Sequence, residues 1–236
     1  MVRPALLLVF SEPGPDVTLS EFHDWYDGEH VPLRVNTPTF RTWERWEQAD
    51  GQKPSWAASY DLESYAAMQE RPYTTLAETR SEREKELLKR VQLLDRRTYE
   101  AYDAHTMPAP SNLYDPGISA PIVVFVSNEI KSEDEAEWNR YQDEEHIPLL
   151  SKVHGWIRSR RFVLKESGRM GVDAESTAEQ EPPPKYLTVH EWASQAAFET
   201  EEYKKAMDTA WRQKIMPSVV ARERRVFKFL RRWDRD

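Results

Sequence analysis

The segment WYDGEHVPL at residues 25–33 returns as YQDEEHIPL at residues 141–149, an offset of 116 residues. Both copies carry an aspartate, a glutamate, a histidine and a proline at the same places. A match at fixed spacing indicates that one supersecondary unit occurs twice in the chain.

The similarity extends well beyond this signature. At the same offset, the apolar run 5–10 falls on residues 121–126. Farther along the offset becomes 130, so that residues 56–61 fall on 186–191. The extra residues lie near 165–185, a polar stretch with three consecutive prolines, which we interpret as a loop insertion in the second copy.

Composition limits the function classes. With 236 residues, 39% hydrophobic, each copy can build a core, and nine Trp and ten Tyr favour an aromatic-lined cavity. A net charge of −8 argues against nucleic acid as a partner, and the absence of cysteine excludes disulfides and thiol catalysis. No stretch has the length of a membrane span or a signal-peptide core, so we expect a cytoplasmic protein without a membrane partner.

Each copy shows the order β-α-β-β-α-β. In the first copy we predict strands at 5–10, 40–47, 56–62 and 96–102. Capping-box patterns start a helix at Thr18 and, in the second copy, at Asp134. Pro32 predicts that this helix ends near His30. A second helical region spans 64–90 and is interrupted by Pro72. We therefore predict an N-terminal repeat at 1–103, a linker at 104–119 and a C-terminal repeat at 120–236.

This order is that of a ferredoxin-like unit, whose four-stranded sheet has helices on one face only. Two such units can cover each other's open sheet faces. The predicted fold class is therefore α+β, with two tandem ferredoxin-like (βαββαβ) repeats that form a pseudo-dimeric α/β barrel.

The EHxP signature after an aromatic helix resembles the dimeric α/β-barrel superfamily, and is similar to its EthD-like members in filamentous fungi. The resemblance covers both halves, apart from the linker and the insertion. It implies an enzyme acting on a small molecule, since the superfamily includes cofactor-free monooxygenases, cyclases, decarboxylases, dehydratases, isomerases and haem proteins.

The leading catalytic candidates are His30 and His146, because imidazole titrates near neutrality and suits proton transfer. A helix C-terminus and neighbouring acids favour the imidazolium, whereas burial opposes it. Asp27 and Asp143 could orient the histidines or serve as partner acids. The alternative is that each histidine stabilises a helix end and each aspartate is an exposed helix acid.

The third strand of each repeat offers a second pair of candidates. Tyr60 and His190 occupy equivalent places on strands whose side chains alternate between two faces. If that face lines a pocket, either residue could bind the reacting oxygen of a substrate. Otherwise they simply pack and form hydrogen bonds beneath a helix.

Aromatic side chains are the candidates for substrate binding, with ordinary core packing as the alternative. They are Phe22, Tyr26, Trp43 and Trp56 in the first repeat, and Trp138 and Tyr186 in the second. We expect no metal, because His23 and His30 share a helix face without a third ligand. We expect no cofactor, because phosphate-loop and dinucleotide motifs are absent from the sequence.

The leading hypothesis is a cofactor-independent enzyme of secondary metabolism that acts on an aromatic or polyketide-like molecule. Acid/base chemistry would drive a lyase or cyclase step: cyclisation, dehydration, decarboxylation or isomerisation. The alternatives are a cofactor-free monooxygenase of phenols, a haem protein with a histidine ligand, and a non-catalytic binding protein. Beyond the intramolecular pseudo-dimer, further homo-oligomerisation stays open.

Overall fold

A computed structural model describes residues 2–103, 107–176 and 181–235. Parts of the predicted linker and of the predicted insertion, at 104–106 and 177–180, lie outside the described residues. Among the described residues, no helix has both the length and the apolar composition needed to cross a membrane.

The described residues form eight strands and nine short α-helices. The strands are β1 (Ala5–Glu12), β2 (Trp43–Gln48), β3 (Trp56–Leu62), β4 (Leu93–Ala101), β5 (Ile122–Ile130), β6 (Trp156–Met170), β7 (Tyr186–Trp192) and β8 (Val219–Trp233). The helices are α1 (Leu19–Trp25), α2 (Val31–Val35), α3 (Thr75–Glu78), α4 (Glu82–Arg90), α5 (Glu135–Tyr141), α6 (Ile147–Leu150), α7 (Val172–Ser176), α8 (Glu201–Ala206) and α9 (Ala210–Ile215).

The chain divides into two compact units. The first unit contains Met1–Ala101, Leu164–Pro183 and Leu230–Asp236, and the second contains Tyr102–Val163 and Pro184–Phe229. In the first unit the antiparallel order is β4-β1-β3-β2, and in the second it is β8-β5-β7-β6. This is the strand order of a ferredoxin-like sheet, present once in each unit.

The signature segment does not end the helix, contrary to our prediction. A five-residue π-helical turn, Tyr26–His30, joins α1 directly to α2. Its last bond runs from the Val31 N–H to the Tyr26 carbonyl, five residues back. A π-turn of this kind lets the helix pass the missing N–H of Pro32, which lies in the first turn of α2, where a proline is tolerated. Gln142–His146 repeats the arrangement.

Other boundaries also differ from the prediction. β2 begins at Trp43 because Phe40 makes only an isolated bridge, to Leu62. The region 64–90 is interrupted at Pro72 as predicted, with a 3-10 turn before it and the helices α3 and α4 after it, but a second break separates α3 from α4. Thr18 caps α1 by accepting from the Glu21 N–H, as predicted, whereas the Asp134 side chain makes no such bond.

The predicted loop insertion contains regular structure. β6 continues to Met170, and α7 follows it. Gly171 connects them at a φ of 105°, where a Cβ atom would lie 2.5 Å from the Val91 carbonyl oxygen. Only glycine fits this close approach, which brings the Val172 N–H within 2.9 Å of the same oxygen. The insertion is thereby held against the first unit.

A core of apolar side chains separates the sheet from the helices in the first unit. Alternate residues of β1 and β3 face it, including Leu7, Val9, Ala58 and Tyr60. The predicted alternation along β3 is therefore confirmed, and it directs Tyr60 toward the helical layer.

Candidate active site in the first unit

A cavity of about 200 Å³ lies within the first unit, between the sheet and the signature helix. An apolar cavity of about 150 Å³ is large enough to bind benzene, so this space accommodates one substituted aromatic ring. Its polar lining consists of Tyr26, His30, Arg34, Tyr60, Tyr73, Thr74, Arg80, Glu84 and Arg96. We call this space the first cavity.

The π-turn and α2 place three of these side chains in a row. Tyr26, His30 and Arg34 follow each other at intervals of four residues, so they lie on one face of the helical segment. The Arg34 guanidinium donates to the His30 carbonyl oxygen over 2.7 Å, which fixes the arginine against the turn. The local fold of the signature therefore presents a phenol, an imidazole and a guanidinium to one space.

His30 is paired with a carboxylate. Its Nδ1 lies 3.0 Å from Oε1 of Glu84, and the two side chains are only 14% and 4% exposed. Burial, followed by the charge of Arg34, lowers the pKa of His30 to about 3 despite the Glu84 carboxylate. The imidazole is thus neutral at pH 7. Burial decides the direction of the pKa shift, which the sequence analysis left open.

The protonation states fix the role of each nitrogen. Burial opposes ionisation of Glu84, but the hydrogen bond from His30 and the charges of Arg34 and Arg80 outweigh it, so that the pKa of Glu84 is lowered. An ionised carboxylate only accepts, hence Nδ1 of His30 carries the proton and donates it. Nε2 therefore keeps its lone pair, as a general base requires.

Two buried hydroxyls face the first cavity. Neither Tyr26 Oη nor Tyr60 Oη has a hydrogen-bond partner of normal geometry. Burial raises the pKa of both phenols, and for Tyr60 the neighbouring Tyr26 raises it further. Both groups are therefore neutral donors at pH 7. A buried polar group without a partner is costly, so both hydroxyls have unused capacity to donate a hydrogen bond.

The second unit contains an equivalent but smaller space of about 40 Å³, which we call the second pocket. His146, His190 and Trp138 line it, together with Gln142, Tyr203, Arg212, Arg222 and Arg224. Burial lowers the pKa of His146 and of His190 to about 3 in each case. His190 Nδ1 lies 2.8 Å from the Ser159 hydroxyl, whereas His146 Nδ1 has no partner.

The two histidines of the signature differ in their partner. Ser81 caps α4 and Thr209 caps α9, each by accepting from the N–H three residues later. That third residue is Glu84 in the first unit and Arg212 in the second. The carboxylate that holds His30 is therefore replaced by a guanidinium beside His146. Only His30 has the partner of a general base.

The predicted aspartates lie elsewhere. Asp27 forms ion pairs with Arg45 and, over 3.2 Å, with Arg231, and it does not line the first cavity. Asp143 accepts from Arg161 over 2.5 Å in the matching place, outside the second pocket. These pairs tie the signature helix to β2 and β6, so the structure places both aspartates in support of the helix and away from the histidines.

Of the predicted aromatic binding residues, Tyr26 lines the first cavity and Trp138 lines the second pocket. Phe22 packs edge-on against Tyr26 with ring centres 5.4 Å apart, and Trp43 is buried in the same core. The ring centres of Trp56 and His23 lie 4.5 Å apart, and the Tyr186 hydroxyl donates to the Glu135 carboxylate over 3.0 Å. Ordinary packing accounts for these four residues.

The donor groups present do not form a metal site: the described ranges contain no group of three His, Asp or Glu side chains suited to a metal ion. A haem does not fit the first cavity either, because its macrocycle has four pyrrole rings and the space accommodates one ring.

Several lining residues escaped the sequence analysis. Glu84 contacts a histidine 54 residues away, and neither residue type nor spacing predicts that pairing. One signal was present: Ser81 to Glu84 is a capping-box pattern, which marks the start of α4. Met170 belongs to the predicted insertion and lines the first cavity, a contact that a polar loop does not suggest.

No family model matches the chain, and no curated protein matches it. Solved structures do. An anthrone oxidase-like protein is 12% identical with a TM-score of 0.61, covering 99% of this chain and 93% of its own. The likeness establishes the fold. Our predicted fold class is thereby confirmed, while the narrower resemblance to EthD-like proteins stays a prediction.

Two further structures share this fold. A putative monooxygenase from Fusobacterium nucleatum subsp. nucleatum is 7% identical with a TM-score of 0.61, covering 99% of this chain and 95% of its own. A chlorite dismutase mutant from Candidatus Nitrospira defluvii is 7% identical with a TM-score of 0.58, covering 97% and 91%. At such low identity, the likeness concerns the fold and leaves the reaction to be argued from the site.

Proposed function

We propose that the first unit is a cofactor-independent acid/base enzyme for a small aromatic or polyketide-like molecule. The observation that carries the proposal is the neutral His30 imidazole, held by the Glu84 carboxylate at the edge of a one-ring cavity. A buried base with its orienting acid is the usual arrangement for proton abstraction.

The proposed step moves one proton. Nε2 of His30 takes a proton from a carbon or a hydroxyl of the substrate, and the imidazolium that forms is stabilised by Glu84. The Tyr26 and Tyr60 hydroxyls donate to the oxygen on which negative charge develops. In a cyclisation or an isomerisation the imidazolium then returns the proton to an oxygen or a carbon of the product. In a dehydration it gives the proton to the departing hydroxyl, which leaves as water, and in a decarboxylation it gives the proton to the carbanion that remains when CO2 departs. The second unit, whose histidine lacks the acid, does not carry out this step.

A metabolite comparison tests the proposal. Strains that carry the intact gene, a deletion, and the His30→Ala, Glu84→Gln or His146→Ala variants at equal protein level are compared by liquid chromatography and mass spectrometry. We expect a precursor to accumulate on deletion and in the His30 and Glu84 variants, but not with His146→Ala. If His30→Ala consumes the precursor as fast as wild type, the assignment is wrong.

A second candidate is a cofactor-free monooxygenase. It is favoured by the putative monooxygenase and anthrone oxidase-like neighbours, and by the same base, which could deprotonate an electron-rich phenol before oxygen adds. The mass difference between precursor and product separates the two candidates. Gain of an oxygen atom, with strict dependence on O2, would select the monooxygenase.

A further inference from the structure

The second pocket has an unusual charge balance. Three guanidiniums line it, from Arg212, Arg222 and Arg224, and its lining residues include no carboxylate. Among the described residues, no carboxylate lies within 4.0 Å of any of the three. The whole chain, by contrast, has a net charge of −8. The first cavity is also lined by three guanidiniums, from Arg34, Arg80 and Arg96, but the Glu84 carboxylate lies among them. The second pocket differs in having such cations without a carboxylate.

Comparison of the repeats shows how the charge arises. Ser11 pairs with Leu94 on β1 and β4, and Asn128 pairs with Arg222 in the equivalent place on β5 and β8. Arg222 thus stands where the first unit has leucine. Arg212 likewise stands where the first unit has Glu84, whereas Leu150 stands where it has Arg34, and no lining residue matches Arg80. Each space therefore has three guanidiniums, and the second has lost the carboxylate. Arg224, which corresponds to Arg96, is common to both units.

The cations are poorly compensated within the pocket. The Arg212 guanidinium donates to the Met207 carbonyl over 2.8 Å and to the Met216 thioether, a weak acceptor, over 3.0 Å. The pKa of Arg222 is lowered by burial and by the charges of Arg212 and Arg224. Like charges that depress one another in a partly buried space are stabilised when an anion enters.

A buried polar atom also lacks a partner here. His146 is 9% exposed, and its Nδ1 makes no hydrogen bond. The charges of Arg212 and Arg222 both act on this ring, which places it within the field of the guanidiniums. The neutral ring also makes a hydrogen bond to the Ala206 backbone, so its Nδ1 is an acceptor and calls for an ordered water or a ligand that carries a donor.

We propose that the second pocket binds a small planar oxyanion, either a short carboxylate or an ion of similar shape such as nitrate. The volume of about 40 Å³ holds about three water molecules, which is the space that an ion of three or four non-hydrogen atoms occupies. Guanidinium groups present paired N–H donors that match two oxygens of a planar anion. The proposal does not depend on catalysis in the first unit.

Tryptophan indole signals provide the test, because Trp138 and Trp192 line the second pocket. The ¹⁵N-labelled full chain is titrated with acetate at constant chloride concentration, and in parallel with nitrate and with acetamide. Signals are assigned through Trp→Phe variants. We expect saturable shifts of these two indoles with acetate and with nitrate, and none with acetamide, the neutral isostere of acetate.

Charge variants identify the site. Arg224→Gln and Arg222→Gln should each weaken acetate binding about tenfold or more, the usual effect of losing a charge-assisted hydrogen bond. Lys205→Gln is the matched control, since it removes one exposed cation of the same unit outside the pocket. Unfolding midpoints verify that each variant is folded.

Three results would overturn the proposal: equal shifts with acetamide and acetate, shifts that grow linearly without saturation, or unchanged affinity in folded Arg222→Gln and Arg224→Gln proteins. Saturable shifts confined to the indoles of the first unit would also reject this site.

Discussion

At the scale of single residues, one exchange separates the two halves of the chain. Glu84 and Arg212 follow equivalent helix caps, and each lies beside a buried signature histidine. A carboxylate stabilises the imidazolium that a general base must form, whereas a guanidinium destabilises it. Two histidines of identical sequence context therefore have different chemical capacities.

Glu84→Gln tests the pairing. Glutamine keeps the size and can still accept from His30 Nδ1, but it lacks the charge that stabilises the imidazolium. We expect turnover of the accumulated precursor to fall at least tenfold, within the range of general acid–base contributions. Glu145→Gln, at a glutamate of the second unit that accepts from Thr209 over 2.5 Å, is the control and should retain wild-type turnover. Equal turnover in both variants would refute the role of Glu84.

Tyr60→Phe separates function from stability. The Tyr60 hydroxyl is buried without a partner, so its removal should leave the free energy of unfolding unchanged or raise it by about 1 kcal/mol. Turnover should fall, because an oxyanion donor is lost. Urea unfolding and kinetics are measured on the same sample. A large loss of stability would mean that the hydroxyl is bonded within the protein.

The sequence analysis identified His30, Tyr60 and Tyr26 as site residues, and all three line the first cavity. It could do so because the repeat marks equivalent positions and strand alternation marks a face. Glu84, Arg34 and Arg80 were missed, because their positions at the cavity depend on how helices meet, and the spacing of charged residues does not encode that.

At the scale of elements, the π-turn is the distinctive local structure. It lets the helix continue past Pro32 and so brings Arg34 to the same face as His30. A proline in a helix usually predicts an end, and for this reason α2 was not predicted. The second repeat contains the same turn before Pro148, so the two copies of the signature have the same local structure.

Gly28→Ala probes the turn. Gly28 lies within it, and an added Cβ would meet no atom within 4 Å. Alanine has the higher helix propensity, so we expect a gain of about 0.5–1 kcal/mol in the free energy of unfolding without loss of turnover. The midpoint of urea unfolding is the measurement. Destabilisation would show that the turn needs glycine.

Strand register was the less predictable part. The sequence offset of 116 aligns the first strand of one repeat with that of the other. In the structure, Leu7 lies opposite Tyr60 and Val124 lies opposite the equivalent residue His190, so the true offset of these two strands is 117. Because side chains alternate, a shift of one residue exchanges the two faces of a strand. Uniformly apolar strands such as β1 contain no alternation from which to correct the register.

At the scale of the whole molecule, buried neutral histidines couple folding to pH. His30, His146 and His190 each have a folded pKa of about 3, below the ordinary value of 6.5. Between these values the unfolded chain binds more protons than the folded chain. The free energy of unfolding is therefore unaffected by these histidines above pH 6.5, and it declines as the pH falls from 6.5 toward 3.

We therefore expect the free energy of unfolding to fall between pH 7 and pH 5, by on the order of 1–2 kcal/mol per buried histidine. Urea unfolding at both pH values measures it. His190→Gln should make the drop smaller, whereas His154→Gln, at an exposed residue, should not. A drop of the same size in both variants would show that other groups cause it.

The most direct test of the central claim is the protonation state of His30 at pH 7, read from long-range ¹H–¹⁵N NMR of the histidine rings and assigned with His30→Gln. The claim requires a neutral ring with the proton on Nδ1, bonded to Glu84, and a bare Nε2. The predicted result is a spectrum in which Nδ1 is protonated and Nε2 is not. Two protonated nitrogens, or a proton on Nε2 alone, would contradict the assignment of His30 as the base.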